Sequence, residues 1–178
     1  MIDVVIINST NNTLQQTLSS IALQTKIKLG TIYIWSKDDN CNVISSLFSL
    51  KLKISLNILD EIDEKKVLNE YSQIKQKGDF VIFIRGKDLF YNCFSLYNLY
   101  NSLSKSDYDI ANGNIIKGTQ ENYFCSTNTQ TGLFGRLYSV NFINRIPKKT
   151  EVSTINELIL SQNPKLIFLK DNIYVYKC

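Results

Sequence analysis

The sequence predicts an α/β fold, in which a mostly parallel sheet has helices on both of its faces. Strand-like and helix-like segments alternate along the 178 residues, as they do in chains that are built from βαβ units. The most apolar of the predicted strands, FVIFI at residues 80–84, is expected at the centre of the sheet, buried on both faces. The length and the lack of an internal repeat predict a single domain that spans residues 1–178.

Three strands, each followed by a helix, are predicted before the central strand at residues 80–84. Asn12 or Thr13 is expected to cap the first helix, and Glu61 is placed to pair with Lys65 in the third. The predicted strands cover residues 3–7, 31–35 and 53–59, and the predicted helices cover residues 14–22, 43–48 and 61–77.

The second half of the chain has a less regular pattern. Residues 107–116 predict a strand with a turn at residues 112–113, where Asn is followed by Gly, and residues 117–131 predict a long polar loop. The other predicted elements are helices at residues 96–103, 139–144 and 153–161, and a closing pair of strands at residues 165–169 and 172–177.

The composition argues against several kinds of site. The sequence contains no histidine, which excludes histidine as a general acid or base, as a member of a Ser-His-Asp triad and as a metal ligand. The cysteines lie far apart without a C-x-x-C pair, so we expect reduced thiols and no zinc site. They are Cys41, Cys93, Cys125 and Cys178.

The charge and the apolar runs predict neither a nucleic-acid partner nor a membrane span. The formal net charge of +4 is small, and the basic residues are spread along the chain. No apolar run approaches the roughly 18 residues of a membrane-spanning helix. Because the first residues lack the basic region and the cleavage site of a secretion signal, we expect a cytoplasmic protein, or a component of a virus particle if the source is viral.

Five stretches of the sequence carry a resemblance to a known family. In chain order they are IDVVIINSTNNTLQQTLSSIALQT, KGDFVIFIRGKD, DYDIANGN, GLFGRLYSVNFINRI and DNIYVYK. They resemble the nucleotide-sugar glycosyltransferases of the GT-A fold, specifically the large inverting family two. The resemblance covers nearly the whole chain, and it implies a GT-A-like (Rossmann-like) domain with a donor site at the ends of its parallel strands.

The central strand of that family ends in a D-x-D motif, whose carboxylates hold a divalent metal on the donor diphosphate. At the matching positions this chain has Arg85 and Lys87, and Asp88 is the acid that follows them. Two cations repel a divalent metal, so we expect no divalent metal at this position and no cofactor. The same cations would attract a phosphate group.

Other positions of the donor site also depart from the family. Where the family has an Asp pair after its second strand, the chain has Ser36 and Lys37, and the acids Asp38 and Asp39 are displaced by two residues. Lys37 is therefore a further candidate for contact with the donor.

The first loop and the late part of the chain supply the remaining candidates. Asn8 stands where the family usually has proline, and the resemblance implies that the backbone around Asn8 and Asn11 would line a nucleotide pocket. The family's general base lies in an E-D pair, for which the nearest match is Asn156 followed by Glu157. The resemblance therefore implies Glu157 as the catalytic candidate.

Ordinary structural roles stay open for all of these residues. Arg85 and Lys87 also fit solvated charges at a strand end, and Glu157 also fits an exposed acid on an amphipathic helix. Asn8 and Asn11 lie in a polar cluster of the kind that forms turns and helix caps.

Two functions are compatible with these residues. The first is a pseudoenzyme: a glycosyltransferase-like domain that has lost catalysis and serves as a structural, protein-binding or glycan-binding module in a larger assembly, with other protein subunits as partners. The alternative is a metal-independent inverting glycosyltransferase, in which Arg85 and Lys87 stabilise the diphosphate of a nucleotide sugar and Glu157 deprotonates the acceptor. The joint loss of metal-binding and donor-binding acids favours the first. An unrelated Rossmann-like nucleotide binder is disfavoured, since the sequence has no G-x-G-x-x-G or Walker loop.

Overall fold

A computed structural model describes residues 1–7, 11–38, 40–59, 62–76, 78–118, 123–126, 132–148 and 154–177. Strands and helices alternate through the first half of the chain, which confirms the predicted α/β class. The strands are β1 (Ile2–Ile7), β2 (Leu29–Ser36), β3 (Lys53–Ile58), β4 (Phe80–Arg85), β5 (Leu89–Phe90), β6 (Ile110–Gly118), β7 (Tyr123–Ser126), β8 (Leu137–Ser139) and β9 (Leu166–Lys177). The helices are α1 (Asn11–Ala22), α2 (Cys41–Phe48), α3 (Glu64–Gln73), α4 (Ser95–Leu103), α5 (Val140–Arg145) and α6 (Ile155–Leu160).

The strands form one mixed sheet in the order β3-β2-β1-β4-β8-β6-β9-β5, with β7 paired to β6. The four strands from β3 to β4 are parallel to one another, whereas β8 is antiparallel to both β4 and β6. The predicted central position of residues 80–84 is confirmed, because β4 lies between β1 and β8 and its residues 81–84 are buried.

Helices cover both faces of the sheet, and each face has its own apolar core. The first core contains Leu18 of α1 and Leu99 of α4. The second core contains Tyr71 of α3, Phe142 of α5 and Leu158 of α6. Alternate residues of β1 belong to the first core and to the second core, because successive side chains of a strand point to opposite faces.

Polar side chains decide where α3 begins. The carboxylate of Asp63 accepts hydrogen bonds from the backbone N–H groups of Lys65 and Lys66 at 2.7 and 3.0 Å. These N–H groups have no partner inside the helix, so an acid at this position stabilises the first turn. α3 therefore begins at Glu64 and is shorter than predicted, and Glu61 lies outside the described residues.

Three predictions for the second half of the chain are wrong. Residues 112–113 do not form a turn, because β6 continues through them and shifts its register against β9. Residues 123–126, predicted to be loop, form β7. The closing pair of strands is the single strand β9.

Gly113 explains the first of these differences. A Cβ atom built on Gly113 would lie 2.2 Å from Cγ1 of Ile173. The glycine is therefore needed for the close approach of β9 to β6, and it does not mark a turn.

A buried carboxylate joins several elements at the amino end of the parallel strands. Asp3 of β1 is fully buried, and it accepts hydrogen bonds from the backbone N–H groups of Thr31 and Gly78 and from the hydroxyl of Tyr71, at 2.9, 3.0 and 3.1 Å. Gly30 leaves room for this carboxylate, because a Cβ atom there would lie 2.1 Å from its Oδ1.

Two further expectations bear on the class of protein. Cys41 and Cys93 are free thiols, and the side chains of Cys125 and Cys178 lie outside the described part of the chain. No helix in the described ranges has both the length and the apolar character that crossing a bilayer requires.

Candidate functional site

The carboxyl ends of the parallel strands meet at one edge of the sheet, and this edge contains the predicted donor-site positions. Ile7, the last residue of β1, pairs with Trp35 of β2 and with Arg85 of β4. The segments that follow these three strands are therefore neighbours. Asn8 lies outside the described residues, and the side chain of Asn11, the first residue of α1, is also outside the described part.

Arg85 and Asp88 form a bidentate ion pair directly after β4. Nε of Arg85 lies 2.7 Å from Oδ2 of Asp88, and Nη2 lies 3.0 Å from Oδ1. The side chain of Asp88 is fully buried, and that of Arg85 is 19% exposed. The pair closes a tight turn, in which the N–H of Asp88 donates to the carbonyl of Arg85 at 3.0 Å.

Neighbouring elements hold this turn in place. The hydroxyl of Tyr174 on β9 donates to Oδ2 of Asp88 at 2.6 Å, and the hydroxyl of Thr17 on α1 lies 3.0 and 2.9 Å from the carbonyl oxygens of Gly86 and Asp88. Burial and the charge of Asp88 raise the pKa of Tyr174 well above its ordinary value, so its hydroxyl keeps the proton that it donates. Burial lowers the pKa of Arg85, but the hydrogen bonds and the charge of Asp88 outweigh that effect, and the net pKa is raised.

Three cations converge on the ring of Tyr176 at this edge. The guanidinium carbon of Arg85 lies 3.4 Å from the ring centroid, and the Nζ atoms of Lys87 and Lys117 lie at 6.0 and 5.9 Å. We refer to Arg85, Lys87, Lys117 and Tyr176 as the Tyr176 cluster. Contacts of this kind are attractive, and the three cations together favour an anionic ligand.

Arg85 and Lys87 of this cluster were predicted from the sequence, whereas Lys117 and Tyr176 were not. Lys117 was placed in the predicted loop, whereas it is paired with Tyr176 in the β6–β9 ladder. The alternating tyrosines of DNIYVYK were the available signal for Tyr176, because residues two apart on a strand face the same side.

The residues that follow β2 have mainly local contacts. Ser36 is buried, and its hydroxyl oxygen lies 3.2 Å from Sγ of Cys41 and accepts from the N–H of Asp38 at 3.0 Å. Oδ1 of Asp38 accepts from the N–H of Asn40 at 2.9 Å. Lys37 is exposed, and Asp39 lies outside the described residues.

Glu157 is exposed and forms part of the cap of α6. Its carboxylate accepts from the N–H of Thr154 at 3.2 Å, and its own N–H donates to the Thr154 hydroxyl at 3.2 Å. This reciprocal pair is a capping box, which accounts for an acid here without catalysis. A role of Glu157 as general base stays a prediction.

Glu64 is an acid of this region that the sequence analysis did not identify. Its Oε2 is buried without a hydrogen-bond partner among the described residues. Burial raises the pKa of Glu64, although a hydrogen bond from the backbone of Leu133 and the charge of Arg85 act in the opposite direction. The available signal was its position after β3, at the same edge as Arg85.

The side chains at the D-x-D positions do not suit a divalent metal. Arg85 and Lys87 supply positive charge, and both oxygens of Asp88 already accept from Arg85. Within the described ranges, no group of three or more acidic or cysteine side chains lies close enough together to hold a metal ion. The predicted lack of a metal stays a prediction.

Comparison with known proteins gives the fold. No protein-family model matches the sequence, and no curated protein matches it. Solved structures do match: TarS 1–349 of S. aureus in complex with UDP-GlcNAc has a TM-score of 0.77 at 14% identity over 99% of this chain. The mannosyltransferase PcManGT of Pyrobaculum calidifontis in complex with GDP-Man and Mn2+ has a TM-score of 0.73 at 12% identity over 98% of this chain.

The chain spans 58% of that TarS structure and 56% of PcManGT. At these identities the likeness concerns the fold and not the chemistry. The described residues thus have the GT-A fold of these glycosyltransferases, as the sequence analysis predicted.

Proposed function

We propose that this chain is a glycosyltransferase-like domain that does not carry out metal-assisted sugar transfer and serves as a protein-binding or glycan-binding module within a larger assembly. The observation that carries the proposal is the Arg85–Asp88 ion pair. This pair lies at the position of the D-x-D motif, with which the family-two glycosyltransferases hold a metal on the donor diphosphate.

The pair argues against a metal for two physical reasons. A metal would have to compete with the guanidinium for both oxygens of Asp88, which lie 2.7 and 3.0 Å from Arg85 nitrogens. It would also lie beside the positive charges of Arg85 and Lys87, and like charges at this range repel strongly in a partly buried site. Restoring a metal site would therefore require substitution as well as side-chain movement.

The other parts of the predicted active site support the same conclusion. Ser36 is buried in local contacts, and Glu157 forms a helix cap. The surface also supports contacts with partners, since the side chains of Leu47 and Leu50 are 68% and 96% exposed. Exposed apolar side chains that lie close together are typical of interaction surfaces.

The proposal is tested by binding and turnover in parallel. A thermal-shift panel of uridine, guanosine and thymidine diphosphates and their sugars is recorded with and without Mn2+, together with a radiolabelled donor-hydrolysis assay. We expect no Mn2+-dependent shift and no turnover, since a ligand that binds the native state raises the melting temperature. A Mn2+-dependent shift with turnover would contradict the proposal.

A metal-independent transferase is the second candidate, and the Tyr176 cluster favours it. Arg85, Lys87 and Lys117 could stabilise the negative charge of a leaving diphosphate, and Glu157 could accept the proton of an acceptor hydroxyl. Arg85→Ala would also remove the guanidinium partner of Asp88, so the test variant is Lys87→Ala with Lys117→Ala. The control is Lys51→Ala with Lys53→Ala, at the amino end of β3 and away from the carboxyl ends of the strands. Metal-independent turnover that only the first variant abolishes would replace the binding-module proposal with this one.

A further inference from the structure

Strand β3 forms one end of the sheet, and its outer side is open. It pairs with β2 along its whole length, and no other strand pairs with it in the part of the chain that the structure describes. Natural edge strands are commonly short, bulged, charged or interrupted by proline, which prevents them from accepting another strand. β5, at the opposite end of the sheet, has only two residues. β3 has six residues in regular register, contains no proline, and has a single charged residue at its first position, so it can accept a further strand.

The backbone groups on the outer side of β3 belong to its apolar residues. The N–H of Leu59 donates to the carbonyl of Ser36 in β2 at 3.0 Å, and the backbone groups of a strand alternate in direction from one residue to the next. The backbone groups of every second residue before Leu59 therefore face β2 as well, and those of Ile54, Leu56 and Ile58 face away from it. These outward N–H and C=O groups are the row to which another strand would pair.

The side chains of the same three residues lie on the face of the sheet that α2 covers. Ile54 and Leu56 pack against the first core, to which Cys41 of α2 also belongs. Ile58 lies two residues beyond Leu56 on the strand, so its side chain faces the same side, and it is 41% exposed. The open edge therefore presents an apolar row of side chains next to its unpaired backbone groups.

The helix on this part of the sheet also has an apolar exposed side. α2 contacts both α1 and β3. Val43 and Leu47 of α2 are 66% and 68% exposed, and Leu50, in the turn after the helix, is 96% exposed. Residues three and four positions apart lie on the same side of a helix, so these three form one stripe, which we call the α2 stripe. An open strand edge and an exposed apolar stripe thus occur at the same end of the sheet.

A second copy of the chain fits this end of the sheet, because β3 is complementary to itself in antiparallel orientation. If two β3 strands pair about a two-fold axis through Leu56, each Ile54 lies opposite the partner's Ile58, and all outward-facing backbone groups of these residues are paired. Their apolar side chains then meet on the face that α2 covers, whereas Ser55 lies opposite the partner's Asn57 on the other face. The two-fold axis is perpendicular to the sheet, so the two α2 helices flank the junction on one face.

The charges at the two ends of β3 favour the same orientation. Lys51 and Lys53 are exposed at its amino end, and Asp63 is exposed after its carboxyl end. Antiparallel pairing brings the amino end of each strand towards the carboxyl end of the partner strand, so unlike charges approach each other. Parallel pairing would instead place the lysines of the two copies side by side. An unrelated strand would have to supply this complementarity, whereas a second copy already has it.

We propose that this chain forms a closed two-fold dimer, in which the β3 strands of two copies pair antiparallel and the two α2 stripes cover the junction. Each copy uses its own open edge in the pair, so the assembly ends at two copies. The proposal deepens the proposed function, and rests on its protein-binding role, by naming a second copy as the partner. Dimerisation needs neither donor nor metal. A monomeric protein would therefore overturn this inference alone, whereas Mn2+-dependent turnover would overturn the proposed function alone.

The test is sedimentation velocity of the native chain over a range of concentrations, combined with amide hydrogen exchange. We expect a reversible equilibrium between monomer and dimer. The amides of Ile54, Leu56 and Ile58 should exchange more slowly as the concentration rises, because their N–H groups become hydrogen-bonded only in the dimer.

Two lysine substitutions test the two parts of the surface. Ile58→Lys should weaken the dimer about tenfold or more, because it brings a charge among the apolar side chains of the junction. Leu47→Lys, in the α2 stripe, changes an exposed helix position that plays no part in the sheet, and it should weaken the dimer about threefold or more. Leu160→Lys is the matched control, since Leu160 is 46% exposed and lies on α6, which packs against the second core on the other face of the sheet.

Circular dichroism establishes that each variant is folded. The proposal is overturned if the native chain is a monomer at every concentration, or if either Ile58→Lys or Leu47→Lys dimerises as tightly as Leu160→Lys. It is also overturned if the three β3 amides exchange at the same rate in the monomer and in the dimer. That last outcome would mean that two copies associate through another surface.

Discussion

Asp88 has the contacts of a structural residue, although it lies in the segment that resembles a metal-binding motif. Its carboxylate is fully buried and accepts from Arg85 and from Tyr174. A buried carboxylate with a bidentate guanidinium partner is stable only while both charges are present, because each compensates for the lost hydration of the other. The pair therefore fixes the turn after β4 whether or not a ligand binds there.

We predict that Asp88→Asn lowers the free energy of unfolding by about 3 kcal/mol, since removing one partner of a buried ion pair leaves the other charge uncompensated. Urea denaturation followed by the fluorescence of Trp35, which is the single tryptophan, measures the loss. Asp79→Asn is the control, because Asp79 pairs with the amino terminus but is 77% exposed, and exposed pairs contribute about 0–1 kcal/mol. Equal losses in the two variants would contradict the prediction.

Glu64 predicts a pH dependence of stability. Burial raises its pKa in the folded state, so between its ordinary value and the folded value the native state binds more protons than the unfolded state. Stability conferred by Glu64 is then fully present below the ordinary pKa and is lost as the pH rises through the folded pKa. Glu64→Gln cannot ionise, so it should be more stable than the native protein at pH 7.5 and similar to it at pH 4.

Urea midpoints of the native protein and of Glu64→Gln at the two pH values measure this difference. The exposed Asp107→Asn serves as a control for the loss of a surface carboxylate. If the stability difference between Glu64→Gln and the native protein were the same at both pH values, Glu64 would not be the titrating group.

At the level of elements, the first half of the chain was predictable and the second half was less so. β1 to β4 are apolar segments separated by amphipathic helices, and local periodicity is sufficient to place them. β8 lies between β4 and β6 although it follows β6 in the chain, and pairing over that distance leaves no local pattern. The Asn112–Gly113 sequence favoured a turn by its local preference, but the packing of Gly113 against Ile173 decided in favour of a continuous strand.

Gly113→Ala tests this packing. A Cβ atom would lie 2.2 Å from Cγ1 and 3.0 Å from Cβ of Ile173, and Cβ of Ile173 cannot move without its backbone. We expect a loss of about 1–3 kcal/mol in unfolding free energy, the range for overpacked interiors, measured by urea denaturation. A stability equal to that of the native protein would show that β9 does not approach β6 this closely.

At the level of the whole molecule, the two ends of the parallel strands have separate tasks. The amino end is joined by Asp3, whose contacts are internal, and the two cores are formed by apolar residues along the strands. The carboxyl end contains Arg85, Lys87 and Lys117. Lys87 and Lys117 belong to neither core, so they can change while the fold stays the same. This is why the fold was predictable from the sequence while the site was predictable only in part. The positions of Lys117 and Glu64 depend on strand pairings and loop positions that local patterns do not specify.

This separation predicts that acids can be restored at the carboxyl end without loss of the fold. We expect Mn2+ to leave the melting temperature of the native protein unchanged. In Arg85→Asp with Lys87→Asp, residues 85, 87 and 88 would all be carboxylates. The metal-free protein should melt at a lower temperature, because the buried Asp88 loses its guanidinium partner and like charges repel. Mn2+ should then stabilise it, by about 2.7 kcal/mol at a concentration of 100 times the dissociation constant.

Scanning fluorimetry in Mn2+ and in EDTA compares three proteins: the native chain, the double variant and Lys87→Asp alone. The single variant keeps the Arg85–Asp88 pair, so it should respond to Mn2+ as little as the native chain does. A native protein that Mn2+ stabilises would show that its present residues already hold a metal. A double variant that folds but is not stabilised by Mn2+ would show that the turn after β4 lacks the geometry of a metal site even when acids are present. The hydrogen bond between Tyr174 and Asp88 would then hold this carboxylate in a position that does not suit coordination.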